Sequence, residues 1–356
     1  MNKHAFSATF AATLGAALAL TTAPVSARGK PGPDPPSPTY PPARSWHAFA
    51  SNSGDTAATS RLYLFGGYDA SFNYLNDLWI YTGAGGTGGT GATWTPAPIG
   101  TSKPGPRGNV GWSCSNDQCI AVGGTNGGSS LKETWIYAAG GWSQVNCRRF
   151  TCPPARMLPA LAYDPILGVH VLFGGEANSD GLDDTYTFAA GKWTRHTPAV
   201  TPGARSGAAA AYVPGRGVVL LGGMKAYAAV LCDMHVWTGT TWESIDTGST
   251  GVCLRNHSMA WDGSRLVVGG GYDTMTEKAN TKTWYFQFDA AMSKGTWTAA
   301  SAACQASAVD PTADFVVHPG AMMAFDRPSG LQVFFGGEES VAGRGAVRYG
   351  NTVECQ

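Results

Sequence analysis

Glycine pairs recur along this chain at Gly66-Gly67, Gly123-Gly124, Gly174-Gly175, Gly222-Gly223, Gly269-Gly270 and Gly336-Gly337. Each closes a short β-rich run: "LYLF", "CIAV", "VHVLF", "GVVLL", "RLVV" and "LQVFF". A polar loop follows, and then "DLWIY", "ETWIY", "DTYTF", "MHVW", "KTWYF" or "AVRY". Five units carry a further tryptophan: Trp94, Trp142, Trp193, Trp242 and Trp297. The pairs start 57, 51, 48, 47 and 67 residues apart, so the chain is an array of similar units with a period near 50. Four strand-sized segments per unit, 48 glycines and only 13% charged residues predict tight turns and short strands rather than helices.

This pattern resembles the kelch repeat of the galactose oxidase central-domain-like superfamily, over about residues 40–351 and in six copies. The resemblance implies an all-β fold, a six-bladed kelch-type β-propeller around a channel. In kelch blades the glycine pair closes the second strand, and its missing Cβ permits close packing against the aromatic residues of the third and fourth strands. The sixth unit departs from the pattern, because no tryptophan follows Gly337 before the chain reaches Gln356. Its outer strand is absent or comes from "PGPDPPSPTYPP" at 31–42, which reads equally as an edge strand or as a linker.

Residues 1–27 read as a signal peptide: Lys3 is basic, Ala11 to Leu20 form a mainly apolar core, and Val25-Ser26-Ala27 make a small-residue cleavage site. A Pro-rich segment at 28–42 follows, and 43–356 is the propeller. The apolar core of the leader is too short and interrupted to span a bilayer, and no later stretch approaches that length, so no membrane span is expected. Losing Lys3 with the leader leaves 23 basic against 24 acidic residues, a balance that argues against nucleic acid. The eight cysteines suit an oxidising compartment, and the chain reads as a secreted or periplasmic monomer. Their order suggests neighbour pairing: Cys114 with Cys119, Cys147 with Cys152, Cys232 with Cys253, and Cys304 with Cys355. A zinc site from the two Cys-x4-Cys pairs is the weaker alternative.

Ligands of propellers meet loops at one mouth of the channel, so residues recurring at equivalent places are candidates. Arg44, Arg107, Arg156 and Arg205 precede the first strand of their units, with Arg255 one place later in the fifth unit and His318 in the sixth. The kelch resemblance puts that strand innermost, which implies a ring of guanidiniums able to hold a carboxylate bidentately. The bland alternative is that these arginines bond backbone carbonyls between blades. A second ring follows the glycine pairs: Tyr68 and Asp69, Thr125, Glu176, Met224, Tyr272 and Asp273, Glu338 and Glu339. Glu176, Tyr68 and Tyr272 are candidate catalytic groups with His318 as a base, although loop carboxylates more often pair with arginines. His47 and His257 occupy matching first-strand positions and, with His170 and His235, read as packing residues; His196 reads as exposed.

The chain has no Gly-x-Ser-x-Gly, no phosphate-cradling loop and no His-Glu-x-x-His. Galactose oxidase itself uses copper with Tyr and His ligands and a Cys–Tyr crosslink, and no Tyr-His pair appears here, so copper oxidation is rejected. "EANSDGLDD" sets Glu176, Asp180 and Asp184 four apart, similar to the iron motif of plant specifier kelch proteins but with Asp in place of His. That favours a harder ion or no metal, and no cofactor is expected. Three functions follow: a binder of an acidic sugar or glycan at the arginine mouth; an enzyme on sugar acids, similar to sialic acid epimerases or a polysaccharide lyase; or a structural, partner-binding protein.

Overall fold

The computed structural model describes residues 40–52, 60–83, 93–147, 151–225, 229–248, 251–273, 278–280, 282–300, 321–327, 329–341, 345–348 and 352–355. His318, Cys304, the leader and most of the Pro-rich segment lie outside them. The described residues are all strand and loop. Five four-stranded antiparallel sheets follow one another. Blade one holds Ala48–Ser51, Leu62–Phe65, Leu78–Thr82 and Thr93–Pro96. Blade two holds Gly111–Cys114, Gln118–Val122, Thr134–Ala138 and Gly141–Gln144. Blade three holds Ala160–Asp164, Val169–Phe173, Thr185–Ala189 and Lys192–His196. Blade four holds Ala209–Val213, Gly217–Leu221, Met234–Trp237 and Trp242–Ile245. Blade five holds Ser258–Trp261, Leu266–Gly269, Trp284–Phe288 and Gly295–Ala299.

A three-stranded sheet of Met322–Asp326, Leu331–Phe335 and Thr352–Cys355 completes the set. Its first strand lies against those of blades five and one, so the innermost strands form a closed ring. Here the sequence reading needs a correction: "AVRY" is not the third strand. Residues 345–348 pair with 338–341 as a separate hairpin, and Thr352–Cys355 pairs with the second strand instead. The loop after the glycine pair is longer in this unit, and the aromatic cue is missing.

Both faces of each sheet are covered by neighbouring blades, so the second strands are buried with no in–out alternation. Val218 to Leu221 is apolar and buried throughout, and Leu331 to Phe335 is buried throughout with Gln332 as its polar member. One cluster joins blades four and five through Val219, Leu221, Val236, Leu254, Val268 and Phe286. Another joins blades one and two, with Phe65 packed on Trp142 at 5.0 Å between ring centroids. Burying one such aromatic contributes about 2–3 kcal/mol, so the inter-blade seams carry most of the cohesion.

The glycine pairs owe their place to these seams. In Gly66-Gly67 both residues have positive φ, 65° and 88°. A Cβ on Gly66 would stand 2.5 Å from the backbone oxygen of Arg107, in the next blade. The close neighbour is therefore the backbone of the adjoining blade and not, as the kelch resemblance implies, the aromatic residues of the later strands. In blade five three glycines stand together, and the pair with positive φ is Gly270-Gly271; Gly269 ends the second strand. The sequence spacing placed this pair one residue early.

Three disulfides form: Cys114–Cys119, Cys147–Cys152 and Cys232–Cys253. The pairing of Cys304 with Cys355 falls outside the described residues. No described helix is long and apolar enough to cross a membrane.

Candidate functional site

The loop before each first strand places Arg44, Arg107, Arg156 and Arg205 in one repeated arrangement. Each Nε donates to the carbonyl two residues earlier, and Nη1 donates to the carbonyl of the first glycine of its own blade. The same guanidiniums meet a carboxylate just ahead of the third strand: Asp77, Glu133, Asp184 and Asp233, at 2.6–2.7 Å. Three of the four pairs are bidentate. All four arginines are buried, none more than 3% exposed. This corrects the expectation of open guanidiniums around the mouth. Their charge is neutralised inside the blade, and the reason is geometric: the glycine pair leaves a carbonyl pointing at the strand start, which a guanidinium fork satisfies together with the carboxylate.

The arginine backbone also ties blades together. Arg107 accepts at its carbonyl from Gly67 N and donates from its own N to Leu75 O, and Arg156 and Arg205 repeat both contacts. Blade five breaks the series. Leu254 fills the arginine slot and accepts from Gly223 N, while Lys282 stands at the place of the acid. Asn280 takes over the free carbonyl, donating to Gly270 O at 3.0 Å. Cys253, beside Leu254, is bonded to Cys232 of blade four at the same joint.

Arg255 is thereby displaced toward the mouth. It is half-buried and lies 4.7 Å from the ring centroid of Tyr272, its partner in a short antiparallel pair. The ring of Trp46, from blade one, stacks with Tyr272 at 6.4 Å and 20°. Tyr68 packs with Phe72 and Tyr74 at 6.0 and 5.6 Å. Phe72 is 64% exposed. Its loop is held by Asp69, whose side chain accepts from Ser71 N and Asn73 N. The mouth on this side carries aromatic faces and one arginine.

The remaining candidates do not converge. Glu176 is buried, and Ser206 Oγ donates to its Oε2 at 2.9 Å. Asp184 serves Arg156, and Asp180 is exposed in a two-residue hairpin with Ala177, so the four-residue spacing does not assemble a metal site. Among the described residues no three His, Cys, Asp or Glu side chains cluster as metal ligands. Only the backbone of Glu338 is described, paired with that of Arg348.

His47 and His257 are buried. Burial, with Arg44 nearby, holds His47 well below the usual range, and burial alone brings His257 to about 3. His170 is likewise lowered to about 3 by burial, and His235 bonds Asp233 at 2.8 Å. His196 is half-buried rather than exposed: it bonds Thr187 at 2.8 Å and lies edge-on to Trp237.

Below the arginines, the chain turns into each of the first five innermost strands through a residue with positive φ: Trp46, Asn109, Leu158, Gly207 and Asn256, at 55–64°. Each of the last four donates its backbone N–H to the carbonyl of the one before, from 2.7 to 3.1 Å. These bonds form a neck around the channel. Sequence reasoning missed both the neck and the acids paired to the arginines. The acids had a signal, since Asp77, Glu133, Asp184 and Asp233 each stand directly before the third strand. The neck had none, because its five residues share a conformation and no side-chain chemistry.

Residues 33–198 match the family model of the KLHDC2/KLHL20/DRC7 Kelch-repeats domain, a stretch that spans blades one to three. No curated protein matches the chain. Fold and repeat agree: this is an all-β propeller built of kelch repeats, a fold that offers a binding surface.

Proposed function

We propose that the protein is an exported, six-repeat kelch propeller that binds an acidic ligand, a sugar acid or acidic glycan, at the mouth beside blades one and five. The three-stranded sheet is its sixth blade. The observation that carries the binding reading is the group of Arg255, Tyr272 and Trp46, three half-buried side chains in ring contact. Aromatic faces accept the C–H surface of a sugar ring, and a guanidinium beside them selects a carboxylate. The leader-like residues 1–27 and three disulfides support export. An enzymatic reading has less support, because Glu176 is buried against Ser206.

Calorimetric titration of the secreted protein with polygalacturonate and with N-acetylneuraminate tests this. Arg255→Ala should weaken binding about tenfold or more at an unchanged melting temperature, since a charge-assisted bond contributes about 1.5–3 kcal/mol. Equal affinity of the variant and the wild type would remove the reading. A protein partner is the second reading, favoured by Phe72, an exposed aromatic held beside Tyr68 and Tyr74. A partner bound by wild type and lost in Phe72→Ala, with no glycan affinity, would establish it instead.

A further inference from the structure

Aromatic side chains continue around the mouth beyond the Arg255 group. Ser45, beside Trp46, exchanges both backbone bonds with Tyr68, at 3.1 and 3.2 Å. Tyr68 stacks on Phe72 at 21° and meets Tyr74 edge-on. Beneath them lies bare backbone of blade two. A Cβ on Gly108 would stand 3.6 Å from the Tyr68 ring, 3.5 Å from that of Tyr74 and 3.3 Å from Trp46 O. One on the exposed Gly127 would stand 3.2 Å from Tyr74. The rings thus run from Tyr272 in blade five, through Trp46 and Tyr68 in blade one, onto glycines of blade two.

Phe72 is the most exposed of them, at 64%, and its φ is 62°, a conformation that bulky side chains rarely adopt. Its loop fixes it there. The Asp69 carboxylate accepts from Ser71 N, Asn73 N and Asn73 Nδ2, and Phe72 N donates to Asp69 O at 3.0 Å. A rigid aromatic face held toward solvent on strained backbone suits a ligand contact. Charge restricts the ligand. Residues 68–76 and 125–130 contain no Lys or Arg, and Asp69 is their one acid. An anionic unit over Phe72 would meet that carboxylate with no cation to offset it. A neutral sugar brings C–H faces for the rings and hydroxyls for the exposed Ser71, Asn73 and Asn126. Continuity with the Arg255 group favours a glycan here over a separate protein partner.

We propose that Tyr68, Phe72 and Tyr74 form a second subsite, for a neutral sugar linked to the acidic unit at Arg255. The preferred ligand therefore joins an acidic sugar to a neutral neighbour. This rests on the acidic-ligand reading above and adds the neighbour to it.

Calorimetric titration of the secreted protein with two sets of sugars tests the subsite. One set is N-acetylneuraminate, sialyllactose and disialic acid; the other is galacturonate, galacturonosyl-rhamnose and digalacturonate. For the acid that binds, the neutral extension should raise affinity about tenfold. A second acidic unit should raise it no more than about twofold, the gain from two equivalent carboxylates by number. Phe72→Ala should remove the tenfold gain, leave the bare acid unchanged and melt as wild type does, since the side chain is exposed. Arg255→Ala should weaken every member of the set. A neutral extension that adds nothing, or whose gain survives Phe72→Ala, would overturn the subsite, leave the Arg255 reading standing and assign Phe72 to a protein partner. An acid dimer that gains as much as the neutral extension would overturn the assignment to a neutral sugar. Absence of binding across both sets would remove the acidic-ligand reading itself, and this subsite with it.

Discussion

Arg156 enters its blade fully buried, with Asp184 taking two of its bonds at 2.7 and 2.8 Å and Gly174 O a third at 2.7 Å. Removing the arginine alone strands a carboxylate that is only 11% exposed. Breaking a buried pair from one side costs about 3–5 kcal/mol, so Arg156→Leu and Asp184→Lys should each destabilise by that order. Blade five shows the tolerated alternative, where Leu254 and Lys282 replace both members together. The double variant should therefore lose less than the two singles combined, and urea denaturation of the four proteins measures the difference. Strict additivity would show that the pair does not act as a unit. The arginines were legible in the sequence as a recurrent position, but their role was not. A buried arginine and a ligand-binding arginine look alike until the carboxylate ahead of the third strand is set beside them. Arg255 was legible only as an outlier of that series, and it is the outlier that stands at the mouth.

The outer tryptophan of one blade reaches the start of the third strand of the preceding blade. Trp193 Nε1 donates to Thr134 Oγ1 at 3.0 Å, Trp242 Nε1 to Thr185 Oγ1 at 2.9 Å, and Trp94 Nε1 to Thr352 Oγ1 at 2.8 Å. Where that place holds Leu78 or Met234, the tryptophan packed in the same cluster, Trp142 or Trp297, has an unpartnered indole nitrogen. Besides the backbone bonds between blades, apolar burial holds the seams and an indole hydrogen bond adds to three of the described joints. Thr185→Val keeps the shape and leaves Trp242 Nε1 unpaired, so it should cost about 1–3 kcal/mol. A thermal melt of the variant that matches wild type would assign the seam to apolar contact alone. The strands themselves were readable from their β-rich runs and glycine punctuation. The third strand of the last sheet was not, since Thr352–Cys355 has no aromatic pair, and only its threonine, meeting Trp94, reveals the equivalence.

Ring closure joins blade one to the last sheet through Gly337 N to Arg44 O at 3.0 Å, Ser60 Oγ to Asp326 Oδ1 at 2.8 Å and the Trp94–Thr352 bond. The ring therefore responds as one body to what happens in any seam, and acid is the simplest probe. His47, His170 and His257 are held neutral by burial, the last two to about 3, so below their ordinary range the unfolded chain binds more protons than the folded one. Stability from these groups is complete above about pH 6.5 and falls progressively as the pH drops toward the folded values. The carboxylates act lower. Burial would raise Asp77 and Asp233, but hydrogen bonds and attraction from Arg44 and Arg205, aided by Trp79 and His235, hold both below the usual range. Their contribution is present above about pH 4 and lost only beneath it. The melting temperature should accordingly be level above about pH 7, decline between about pH 6.5 and 4, and drop more steeply below. His257→Phe should flatten the upper part of the decline and leave the lower part unchanged. Melts at constant ionic strength read both. A profile level down to about pH 4.5 would mean that the buried histidines are solvated or paired in solution, and would remove the seam account of acid sensitivity.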